Sequence, residues 1–270
     1  MAWAQERTQL LDPVVTVGAM SSESDFTRQQ WVEGLLPEIA SARNVLATAD
    51  FLLRRGGTLE RDIDAVFATY SIGLERLMKL ALGCAAVSRG EGWPPKMGRT
   101  SEGWGHALDE MDQRLRDTIR ESVNGNEWDH KPLLETWICT LDNDPVWGKA
   151  VKALRNYADA GRYHHLDHVR GGFVTSSTTR SLWDDVERET IANNSQLAAH
   201  HQETLAGAEF DPFEIELRSA VADVLKRWVS IICLFGMHGV LGEDWKSLGA
   251  DALPDGALEF DVLPQREGTR

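Results

Sequence analysis

The sequence predicts an all-α protein: an antiparallel bundle of long helices with extra helices and an irregular C-terminal tail. Three observations carry this. Apolar residues recur near the 3.6-residue period along most of the 270-residue chain. Asp-Pro pairs at 144–145 and 211–212 mark helix starts, because aspartate caps and proline suits the first helical position. Strand-like alternation is confined to Ala257–Leu263. With 42% hydrophobic and 26% charged residues, the chain can bury a sizeable core.

Taken in order, residues 1–21 read as an N-terminal extension. A single domain spans 22–245, with loop insertions near 90–104 and 171–180, and an acidic tail covers 246–270. The first helix carries Phe26, Trp31, Leu35, Leu36, Ile39, Val45 and Leu46, with Pro37 predicting a kink or break. After Gly56-Gly57, Thr58 is placed to cap a helix over 59–88 with an apolar face from Ile63 through Ala81. Gly90–Gly105 reads as a structured loop pinned by its tryptophans, Trp93 and Trp104. Helices follow over 105–123 and 132–142, then from Pro145 to at least 160. Gly171–Thr179 is small and polar, as loops are. A polar helix over 181–205 precedes the most apolar one, 212–241, and after Asp244 the chain turns acidic and irregular.

With 28 Lys+Arg against 42 Asp+Glu, the formal charge is −14, which excludes a general nucleic-acid coat protein. Cys84, Cys139 and Cys233 are scattered and odd in number. Each falls on an apolar helical stretch, which predicts buried free thiols in a reducing cytoplasm. The longest apolar run, Val229–Leu241, is too short to span a bilayer, so no membrane association is expected. No phosphate-loop, dinucleotide-binding or serine-elbow motif is present. Only Glu127-Trp-Asp-His130 fits half of a di-iron pair, and neither metal nor cofactor is expected.

Val146–Arg170 is different. Lys149, Lys152, Arg155, Arg162 and Arg170 face only Asp159 and Asp167, a local sum of +3 that leaves −17 for the rest. His164, His165 and His168 lie in the same stretch. Lys152, Arg155 and Asp159 share one helix side, as they would on a solvated face whose charges pair locally. His164 and His168 are one turn apart, but the glutamate of a zinc peptidase motif is replaced by His165. His200-His201 is expected to face solvent. Arginine and histidine without a metal suit cleavage of RNA through its own 2′-hydroxyl. Histidine serves as acid or base near its working pH, and arginine clamps phosphate oxygens.

Three segments in order resemble the HEPN domains, a helical nucleotide-binding and ribonuclease superfamily. Gly73-Leu-Glu-Arg-Leu-Met-Lys-Leu-Ala-Leu82 is similar to the family's amphipathic Glu-Lys-Leu-Leu helix. Trp104-Gly-His-Ala-Leu-Asp-Glu-Met111 resembles its Gly-His-[Asp]-Leu helix start. Leu154-Arg-Asn-Tyr-Ala-Asp-Ala-Gly-Arg-Tyr-His-His-Leu-Asp167 resembles its last element, an Arg-Asn helix leading to Arg-Tyr and an acidic residue.

The resemblance implies a four- or five-helix core and a homodimer. It implies RNA or nucleotide binding through Lys152, Asn156, Arg162 and His165, with Arg155 as phosphate clamp and His164 or His168 as acid/base. Ribonuclease members place histidine four to six residues beyond the Arg-polar pair. After Arg155-Asn156 those positions hold Ala160, Gly161 and Arg162. Branches lacking the catalytic pair bind nucleotides or protein partners. Family context suggests defence, toxin–antitoxin or stress biology. The rival expectation is a non-catalytic interaction module, drawn from the acidic bulk, the ten tryptophans and the apolar 257–263 segment.

Overall fold

A computed structural model describes residues 25–55, 59–94, 105–159 and 178–256. Among the described residues there are nine α-helices and no strands, as the periodicity predicts. They are α1 (Leu36–Arg54), α2 (Leu59–Ser88), α3 (Leu108–Gly125), α4 (Lys131–Asn143), α5 (Pro145–Asp159), α6 (Thr179–Ala192), α7 (Ser195–Leu205), α8 (Phe210–Met237) and α9 (Glu243–Ala252). A π-helical segment, Gln30–Leu35, runs directly into α1, with Pro37 in the first turn that follows. The chain therefore stays helical through the proline, with the irregularity displaced to the turn before it.

The pairing of α1 with α2 is antiparallel. Leu46 packs on Gly73, while Arg76, one turn further along α2, reaches back to Glu38 near the start of α1 at 3.4 Å. A Cβ at Gly73 would lie 2.7 Å from Leu46 Cγ, so the close approach requires glycine. The central element is α8. It meets α1 through Arg54–Asp223 at 2.7 Å, α4 through Trp137 against Phe235, and α5 through Trp147 stacked on Trp228 at 4.4 Å.

Trp137, Trp147, Trp183, Trp228 and Trp245 are all fully buried. With Trp31, also buried, six of the ten tryptophans are thus core anchors rather than material for an interaction surface. Trp93 is partly exposed yet lies edge-on to Phe26 and covers Gly83, which pins the part of the 90–104 loop that is described.

Several boundaries differ from the sequence reading. The polar helix expected over 181–205 is two helices, because the Asn194 side chain accepts the amides of Gln196 and Leu197 at 3.0 and 3.1 Å and restarts the chain as α7. The α8 helix begins at Phe210 rather than at Pro212, and ends at Met237 rather than at 241, before positive-φ glycines at 239 and 242.

Beyond Gly242 the chain does not turn irregular. It forms α9, whose buried Asp244 accepts the Trp31 indole N–H at 3.2 Å and the Asp25 amide at 3.1 Å, and whose Trp245 packs on Gly236. Cys84 and Cys233 are buried as expected, and burial raises both thiol pKa values; Cys139 is exposed instead. The Thr58 cap, the loop over 171–177 and the 257–263 segment lie outside the described residues. No helix among the described residues is long and apolar enough to cross a membrane.

Candidate functional site at the α2, α3 and α5 junction

The start of α5 follows directly from its sequence. Asp144 Oδ1 accepts the amides of Val146 and Trp147, each at 3.0 Å, and Pro145 opens the helix. The apolar residues from Val146 to Tyr157 are buried, which leaves Lys149, Lys152, Arg155, Asn156 and Asp159 on the other side. The predicted common face of Lys152, Arg155 and Asp159 is present, and Arg155 Nε donates to Asp159 at 3.4 Å.

Among the described residues of this strip, Arg155 is the best-connected cation. Its Nη1 donates to both Asp109 oxygens, at 2.6 and 2.5 Å, and its Nη2 to Glu110 at 3.3 Å. Hydrogen bonding to Asp109 raises its pKa further, so the guanidinium charge is permanent. Three carboxylates thus surround one guanidinium, for a local charge of −2. Asn156 Oδ1 accepts the Thr179 hydroxyl at 2.8 Å, and Lys149 pairs with Glu189 at 2.6 Å, so both face α6. Lys152 is exposed.

The neighbouring segments join the same site. Glu75 on α2 accepts from Lys79 at 2.6 Å through one oxygen. Its other oxygen lies 2.8 Å from His106 Nδ1, just before α3. Ser71 donates to the Leu154 carbonyl at 3.1 Å and fixes α2 against α5. Depth is set by Asp112, 1% exposed, which takes the Trp228 indole N–H at 2.9 Å and pairs with Arg116 at 2.6 Å. Burial raises the Asp112 pKa, and Arg116 opposes that rise. Asp109 and Asp112 are one turn apart, so the buried contact places the exposed one.

The outcome for the predicted site residues is therefore divided. Arg155, Asn156 and Lys152 lie on one helix, with Arg155 and Asn156 turned to different neighbours. Arg162, His164, His165 and His168 lie outside the described residues. Asp109, Glu110, Glu75 and His106 form the site as much as Arg155 does, and sequence reasoning gave them no role. Their signal was present, since the two earlier family-like segments contain all four. His200 is not simply solvent-facing: its Nδ1 is 2.7 Å from Glu216 Oε2, and His201 stacks on Phe213 at 5.2 Å.

No family model, curated protein or solved structure matches the chain.

Proposed function

We propose that this protein is a HEPN-like helical protein that binds RNA or a nucleotide at the α2–α3–α5 junction, with metal-independent RNA cleavage as its candidate activity. One observation supports this reading above the others. Three segments spread over about 95 residues meet through Glu75–His106 and Asp109–Arg155, with Ser71–Leu154 joining the helices just ahead of the first segment. In this reading Arg155 grips a phosphate, Lys152, Asn156, Arg162 and His165 bind around it, and His164 or His168 moves the proton. A homodimer would set two such strips side by side.

The carboxylates around Arg155 favour a second reading, a non-catalytic interaction module in which the Arg155 pairs hold α3 on α5 and nothing more. One experiment separates the two. Purified protein and an Arg155→Ala variant are titrated with labelled RNA and a fluorescent nucleotide across a salt series, then incubated with total RNA in EDTA. Salt-sensitive binding lost in the variant supports the site. RNA cut by the wild type alone supports cleavage. Absence of binding in both leaves the interaction module.

A further inference from the structure

A second location in the molecule has the character of a ligand site. Between α1, α2, α8 and α9 lies a partly enclosed pocket of about 190 Å³, walled by Leu46, Leu225, Val229 and Ala252. Tyr70 of α2 contributes to the same wall. Only 2% of that residue is exposed, yet its hydroxyl finds no hydrogen-bond partner among the described residues. Leaving a buried hydroxyl unpaired costs free energy that the surrounding fold does not recover. Burial, followed by the nearby Asp50, raises the phenol's pKa well above its ordinary value, so the group stays protonated and offers a donor.

The charges around the pocket are balanced. Arg43 and Lys226 oppose Asp50 and Asp255. Asp50 is taken by Arg54 through both oxygens at 3.0 Å, and Arg43 pairs with Asp255 at the exposed rim at 3.1 Å. A charged ligand would have to break one of these pairs; an uncharged one would not. Size narrows the class further. An apolar cavity of about 150 Å³ is known to accept benzene, so this pocket suits a ring of that size with a small substituent. From the orphan donor, the apolar walls and the paired charges, we infer that the pocket binds an uncharged, ring-sized molecule carrying one oxygen acceptor for Tyr70. This site is separate from the α5 strip and stands whether or not that strip binds RNA.

Two probes of equal heavy-atom count test it, cyclohexanone with an acceptor and toluene without one. Each is titrated into the full-length protein while the methyl signals of Val229 and Ala252 are followed by NMR. Saturable shifts at both residues are expected with cyclohexanone. Tyr70→Phe keeps the ring and removes the donor, so it should weaken cyclohexanone about fivefold and leave toluene unchanged. Ala47→Leu, at an exposed lining position on α1, should weaken both by narrowing the entry. Lack of saturable shifts with either probe in the wild type overturns the proposal. So does a folded Tyr70→Phe protein that holds cyclohexanone as tightly as wild type. Should Tyr70→Phe disturb the Val229 and Ala252 signals before any ligand is added, Ala47→Leu decides: undiminished cyclohexanone binding then places the ligand elsewhere.

Discussion

Neutralising Asp109 should improve binding at the α5 strip rather than damage it. An incoming phosphate must displace the carboxylate that already occupies Nη1 of Arg155 at 2.5–2.6 Å. Both partners are about one-third exposed, at 34% and 35%, so the pair lies at the upper end of the exposed class, roughly 1 kcal/mol. Asp109→Asn preserves the shape and one acceptor while removing the charge. If that competition is what a phosphate meets, affinity for RNA or a nucleotide should rise about fivefold. The dependence on salt should steepen as well, because Arg155 becomes available for one further phosphate contact. Fluorescence anisotropy at several salt concentrations measures both quantities. The double variant with Arg155→Ala should erase the gain, since the effect acts through that one guanidinium. Unchanged or weaker binding by Asp109→Asn would refute the competition, and with it the role of Arg155 as a phosphate clamp.

Other outcomes follow from the same geometry. Tyr70→Phe removes a buried hydroxyl that has no partner among the described residues and should raise Tm by about 2–4 °C in the ligand-free protein, measured by calorimetry. Asn194→Ala loses the side chain that restarts α7 and should cost about 1 kcal/mol in urea unfolding. Asp112→Asn should alter the pH profile of stability. The folded state raises this carboxyl's pKa, so between the ordinary and the raised value it holds a proton that the unfolded chain has released. Stability due to Asp112 therefore falls as pH rises from the ordinary carboxylate range through the raised value, and the asparagine variant should be flatter over that window in urea melts at stepped pH.

The fold was largely legible because its signals are local. Asp144-Pro145 states a helix start, and the structure places the Asp144 carboxylate on the two amides that such a cap serves. The same dipeptide at 211–212 misled by two residues. Helix α8 starts at Phe210 with no side-chain cap, and Pro212 still falls within a first turn that tolerates it. Asn193-Asn194 reads as part of a polar helix because a cap inside a polar stretch leaves the period almost undisturbed. Trp245 falls where the sequence reads as turning acidic and irregular, at the last position before the expected tail. Only the glycine opposite it, Gly236, reveals the packing, and that pairing is nonlocal.

The candidate site was less legible for the same reason. Arg155 stands out from its own neighbourhood, but its main partner is Asp109, 46 residues earlier, and no periodicity connects the two. The excess negative charge is likewise not a uniform background. Glu189 reaches Lys149, and Asp109, Glu110 and Asp159 reach Arg155, so much of the local positive sum of α5 is already answered.

How Arg155 could be released is constrained by the helix that holds it. A displacement of α3 away from α5 would free the guanidinium, but it would also pull Asp112 from Trp228 and Arg116 in the core. Breaking a buried charged network of this kind costs about 3–5 kcal/mol. Rotation of the Asp109 side chain gives up only the exposed pair, roughly 1 kcal/mol. The cheaper route wins by more than tenfold in population, so any exchange of carboxylate for phosphate would be a side-chain event on a fixed α3. Ligand binding at Arg155 should then leave the pH signature of Asp112 where it was, because the buried end of the helix does not move.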